Sequence, residues 1–146
     1  MLPIEPHLVA EVLGGKPVLR GPVRSLSDLE GAVSRGLPRR ALDACVARVW
    51  KDRRAAERFK FLLVPRATYH RRRFLKADES ERLERLARVV ALAEKVWAGD
   101  ADAARVFLTS PHPMLENRAP IDAARSELGA RRVEDLLVAL LHGHPV

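Results

Sequence analysis

DESERLERLARVVALAEKVWAG, residues 78–99, decides the fold. Leu83, Leu86, Val90, Ala93 and Trp97 recur at steps of three and four, the spacing of one helix face. Asp78 and Glu81 stand three apart as a capping pair ahead of the apolar stripe, and Gly99 ends it. The pattern predicts a long amphipathic helix from about Ser80 to Ala98, around which shorter elements must pack.

The same period extends both ways. Upstream, Leu42, Cys45, Val46, Val49 and Trp50 predict a helix from Arg39, opened by Pro38 at its first turn, with Arg39, Arg40, Arg48 and Lys51 on the opposite face. A helix from Asp52 to Leu63 buries Ala56, Phe59, Leu62 and Leu63. After Pro65 a short one covers Arg66 to Phe74, with Tyr69 and Arg73 a turn apart. Ser27 is read as the N-cap of a helix from Asp28 to Ser34 that Gly36 stops. Downstream, helices are expected over Asp102–Thr109, from Pro120 to Gly129, and from Val133 to Leu141 before Gly143. The first 25 residues carry Gly14, Gly15, Gly21, Pro17 and Pro22 and read as a turn-rich arm, with a short strand or helical turn at 7 to 13. No Asn-Gly or Asp-Gly hairpin occurs, so the fold class is all-α.

Charge divides this chain of 146 residues. Residues 1–47 carry a net +1, residues 48–76 a net +9 and residues 77–146 a net −3. The basic middle suits a phosphate-bearing partner, and the rest suits something else. We therefore divide the chain into an N-terminal arm with a helix-turn-helix-like DNA-binding domain, residues 1–76, and a second domain, residues 77–146. Within the middle, VPRATYHRRR (residues 64–73) follows the run Phe61, Leu62, Leu63, Val64. A helix, a tight connection and a short basic helix is the order of a helix-turn-helix, whose second helix offers arginines to guanine edges or phosphates. The usual turn glycine is replaced by FKFLLVP, which makes phosphate contact a firmer expectation than base reading.

Other chemistry finds no footing. There is no GxxxxGK[ST], GxGxxG or HExxH, and the five histidines His7, His70, His112, His142 and His144 lack metal-ligand spacing with Cys or carboxylates. Ser80, beside Glu79 and Glu81, reads as a capping residue rather than a nucleophile. No enzyme activity, metal or cofactor is assigned. The single cysteine, Cys45, excludes an internal disulfide and suits a reducing cytoplasm. The start MLPIEPHLVA has no signal-peptide pattern, and no apolar run reaches membrane length, so no membrane partner is expected.

LKADESERLERLARVVALAEKVWAGDADAARVFLTSPHPMLENRAPIDAARSELGARRVEDLLVALLHG, residues 75–143, resembles the toxin-binding domain of the Xre/MbcA/ParS-type antitoxins. The shared order is an ESxRLxRLARV-like helix, GD followed by Ala and an aromatic-Leu pair before Pro, a Pro-opened helix, ELGA, VEDLL and a terminal HG. GLP at 36–38 and RATYHRRR at 66–73 resemble the upstream part of that family, so the likeness covers roughly residues 36–146.

The resemblance implies an antitoxin that covers the active site of a RES-domain toxin, which consumes NAD or uses it for ADP-ribosylation, and that binds its own promoter, as a homodimer within a hetero-oligomeric complex. Carried over by position, Arg66, Thr68, Tyr69, Arg71 and Arg72 belong to the DNA-facing helix. Arg53, Arg54 and Arg73, from the same basic segment, complete the candidate DNA-binding set. His142, Gly143, His144, Pro145 and Val146 form the tip that enters or guards the toxin pocket. Asn117 and Arg118 are further toxin-binding candidates, in a turn, LENRAP, that departs from the small glycine-containing turn of many members. Two other readings stay open: a stand-alone helix-turn-helix regulator with a C-terminal dimerisation module, and an interaction adaptor that binds no DNA.

Overall fold

The computed structural model describes residues 4–143. Ten α-helices and one 3-10 turn account for the regular structure among them, and no β-strand is present beyond two isolated antiparallel bridges, Pro38 with Phe74 and His112 with Arg118. The fold is all-α.

At its centre lies α7, Ala77–Val96. Its 20 residues span ~30 Å. Leu83, Leu86, Ala87, Val89, Val90 and Leu92 are almost fully buried, so apolar residues line more than one face and neighbours must cover it on several sides. Those neighbours are α1 (Pro6–Val12), α3 (Leu26–Ser34), α4 (Arg39–Val49), α8 (Ala101–Thr109) and α10 (Glu127–Leu141). The helix begins earlier than its sequence suggested. Glu79, not Glu81, makes the capping contact, accepting the Lys76 backbone N–H at 2.8 Å, while Asp78 pairs with Arg82. At the far end Gly99, at φ +87°, turns the chain and returns its N–H to Glu94 O at 2.8 Å.

The N-terminal segment is more than an arm. Residues 6–12 form α1, which places Val9 and Val12 in the core with Leu13 just after it, and α2 (Lys16–Leu19) follows. Ser25 rather than Ser27 caps α3, accepting the Asp28 N–H at 3.1 Å, because the helix starts two residues sooner at Leu26.

In the basic middle, α5 covers Arg53–Leu63 and α6 covers Arg66–Arg71, joined through Val64 and Pro65. Asp52 caps α5 by accepting the Ala55 N–H at 2.9 Å. Two expectations fail here. Leu62 is 58% exposed instead of buried, because α5 rests on the body through Phe59. Arg73 lies beyond α6, because residues 73–75 turn into extended pairing with 37–39: Arg39 N–H donates to Arg73 O at 3.0 Å and Leu75 N–H to Leu37 O at 2.8 Å. Gly36 permits that pairing, since a Cβ there would lie 2.7 Å from Leu75 O. Ser80 is fully buried in the same joint and accepts the Leu37 N–H at 2.9 Å, a tie between segments rather than a helix cap.

The C-terminal elements depart from the sequence reading at one glycine. Gly129 does not end a helix begun at Pro120. The Pro-opened helix, α9, is only Pro120–Ala123, and Gly129 lies inside α10, which Ser126 caps by accepting its N–H at 3.0 Å. Glycine is needed because a Cβ at 129 would fall 1.8 Å from Ala123 O.

Candidate functional site

Two surfaces carry the sequence-derived candidates. The first is built by α4, α5 and α6 around a buried-side polar anchor. Tyr69, half-buried on α6, donates its hydroxyl to Asp43 on α4 at 2.6 Å from Oδ2, and Lys60 of α5 pairs with the same carboxylate at 3.1 Å. Lys60 Nζ sits 4.4 Å and the Arg39 guanidinium 5.3 Å from the Tyr69 ring centroid. Arg39 also donates to Tyr69 O at 3.1 Å. Burial and the Asp43 hydrogen bond push the phenol up to about 12, so it stays protonated and spent on its own scaffold.

With Tyr69 turned inward, the arginines are what the surface presents. Arg53, Arg54, Arg66, Arg71 and Arg73 are exposed, Thr68 and Arg72 half-exposed. Among the described residues none of these six arginines has an acidic partner; Arg66 stacks over Phe61 at 4.2 Å. Arg66, Arg71, Arg72 and Arg73 lie on α6 and just beyond it, whereas Arg53 and Arg54 open α5 at the end away from α6; the unpaired guanidiniums around α6 make a positive surface suited to phosphate oxygens.

The second surface belongs to the C-terminal elements. A 3-10 turn, Pro113–Leu115, is followed by Glu116 and Asn117, both left-handed at φ 55° and 62°. This double left-handed step closes the loop so that His112 N–H meets Arg118 O at 3.1 Å and Leu115 drops into the core. Arg118 folds back, Nε donating to Leu115 O at 3.1 Å and its terminal nitrogen to Glu116 at 3.3 Å. Arg132 of α10 grips the same carboxylate at 2.7 Å and Met114 O at 2.8 Å. The hydrogen bond from Arg132 holds the Glu116 carboxyl below the usual range. Sequence reasoning singled out Asn117 and Arg118 but not Glu116 or Arg132; the charge pattern alone gives no sign that residues 16 positions apart share one contact.

Residues 92–143 match the family model described as the antitoxin Xre/MbcA/ParS C-terminal toxin-binding domain. Over those residues the all-α chain is similar to a toxin-binding-type domain of that family. Two curated relatives agree. A protein named Antitoxin Xre from Yersinia enterocolitica serotype O:8 / biotype 1B is 29% identical over 133 residues, covering 88% of this chain and 85% of that one. Another Antitoxin Xre, from Pseudomonas putida strain KT2440, is 33% identical over 70 residues, 48% of this chain and 43% of its own length.

Within the matched segment the Glu116–Arg132 contact meets the second turn of α10, and His142 closes that helix at its far end. His142 is the C-cap of α10 and Gly143 follows at φ +76°, both exposed; His144, Pro145 and Val146 lie outside the described residues. Arg132 and His142 are separated by ~15 Å of helix, so His142 stands well away from the contact that orders the Asn117–Arg118 turn. Among the described residues no group of three or more His, Cys, Asp or Glu could hold a metal ion, and no helix is long and apolar enough to cross a membrane. Burial pushes the Cys45 thiol up to about 12, which makes it packing rather than a nucleophile.

Proposed function

We propose that this chain is the antitoxin of a type II toxin–antitoxin system. Its C-terminal part, residues 77–146, covers the active site of a RES-type toxin that consumes NAD or transfers ADP-ribose. Its N-terminal part, residues 1–76, carries a helix-turn-helix-like unit that binds the promoter of its own operon. The observation that carries the reading is the match of residues 92–143 to a toxin-binding domain, in a chain whose preceding segment concentrates the positive charge.

On the toxin side, Asn117, Arg118 and the tip from His142 to Val146 are the proposed contacts. On the DNA side, Arg53, Arg54, Arg66, Arg71, Arg72 and Arg73 supply phosphate contacts and Thr68 a hydroxyl, whereas Tyr69 contributes by fixing α6 against Asp43. The complex is proposed to contain a homodimer of this chain.

Co-expression with the protein encoded beside this chain tests the proposal. Rescue of host growth together with co-purification is expected. A neighbour that is harmless, or toxic but not relieved, leaves a DNA-binding regulator as the better account.

A further inference from the structure

We propose that the phosphate-contacting surface extends beyond α6, across the joint where residues 36–38 meet 73–75, to Arg20, Arg35 and Arg40, so that α2, α3 and α4 grip the duplex backbone alongside it. This rests on the DNA-binding reading and deepens it by adding cations from residues 1–47, a stretch whose net charge is only +1.

The joint is continuous with α6. Arg71 ends that helix, Arg72 caps it, and the chain then passes through Arg73 to Phe74, which bridges to Pro38. Beside Phe74 opens a cleft of about 320 Å³ in which Ala32 and Leu37 are buried and Arg20 and Arg35 stand exposed, and no carboxylate lines it. Both arginines are held by what surrounds them. Arg20, left-handed at φ 61° where it closes α2, lies 5.6 Å from the Phe74 ring centroid. Arg35 passes 3.1 Å from where a Cβ of Gly31 would stand, so that glycine leaves its guanidinium room along α3. Arg40 is exposed in the first turn of α4, two residues beyond Pro38.

This charge is not cancelled locally. Among the described residues Arg20, Arg35 and Arg40 have no acidic partner. Of the two acids on α3, Asp28 sits at its start and accepts the Arg24 N–H, while Glu30 lines a separate hollow with Glu81 and Glu84. Helix α3 therefore sends its carboxylates elsewhere and Arg35 to the joint. Asp43 of α4 is engaged by Tyr69 and Lys60. A nucleic-acid strand carries an anion at every nucleotide, which matches cations supplied singly by successive elements. The cleft exposes one large apolar side chain, Phe74 at 41%, too little for the apolar core of a protein interface.

The test follows binding of the full chain to a labelled duplex of the DNA upstream of its reading frame, by fluorescence anisotropy across a salt series. The variants are Arg20→Asn with Arg35→Gln, and Arg40→Gln alone; asparagine is chosen because it tolerates the left-handed backbone at position 20. Arg125→Gln, which removes an exposed cation from the cleft beside Asp122, is the control. Melting curves confirm that each variant folds, and Arg35→Gln alone replaces the double variant if that one does not. The slope of log affinity against log salt is expected to fall by about 2 for the double variant and about 1 for each single one, near 0.9 for each phosphate contact removed, with the control unchanged. Wild-type binding whose slope the joint variants retain, or which Arg125→Gln lowers as much per charge, overturns the extension and leaves the DNA reading in place. No salt-dependent binding by wild type overturns both.

Discussion

The hydroxyl of Tyr69 lies 2.6 Å from Oδ2 and 2.8 Å from Oδ1 of Asp43, locking α6 onto α4. The most distinctive polar side chain of the basic motif is therefore a scaffold element, and its neighbours Arg66, Arg71 and Arg73 are left facing outward.

Tyr69→Phe is expected to cost roughly 1.5–3 kcal/mol at pH 7, the range for a hydrogen bond to a charged group. Urea unfolding reads this directly. The folded phenol titrates at about 12, above its ordinary 10, so the folded state holds the proton more tightly. Wild-type stability from this group is complete below the ordinary value and is lost as pH rises toward the folded one. Tyr69→Phe removes that component of the alkaline decline.

Gly129→Ala should destabilise by roughly 1–3 kcal/mol through overpacking, because the new methyl would sit 1.8 Å from Ala123 O. The melting temperature falls although alanine is the better helix former, and a higher melting temperature would contradict the close approach of α9 and α10.

Glu84 and Glu134 share one cation. Arg88 Nε lies 3.2 Å from Glu84 and 3.7 Å from Glu134, and burial raises both carboxyls above the ordinary glutamate value despite that attraction. A raised folded value means a contribution complete below the ordinary glutamate value and lost as pH rises through the folded one. Glu134→Gln should therefore equal or exceed wild-type stability at pH 7 and lose its relative advantage in mild acid. Melting curves at both pH values show this.

Arg71→Ala combined with Arg72→Ala should weaken binding to the upstream DNA and lower the slope of log affinity against log salt by about 2, near 0.9 for each phosphate contact removed. Toxin binding should be unchanged. Filter binding across a salt series and co-purification separate the two effects.

The fold class and the central helix were legible because Leu83, Leu86 and Val90 keep a helical period and no hairpin signal competes. What escaped the sequence was register and contact. Gly129 looked like a stop because glycine usually ends a helix, whereas a backbone carbonyl from α9 demands it inside α10. Leu62 looked buried because α5 is amphipathic, but that helix is too lightly covered to hide its last turn. The inward turn of Tyr69 depends on Asp43, 26 positions earlier, and no local pattern predicts such a pairing. Of the candidate site, the positive segment was plain from charge, while the Glu116–Arg132 ridge needed three dimensions.

The most direct measurement of the central claim is NAD consumption by the purified product of the adjoining reading frame, with this chain titrated in. The account predicts that turnover falls in proportion to added chain and is abolished at a fixed stoichiometry. Turnover unchanged by an excess of this chain would contradict it.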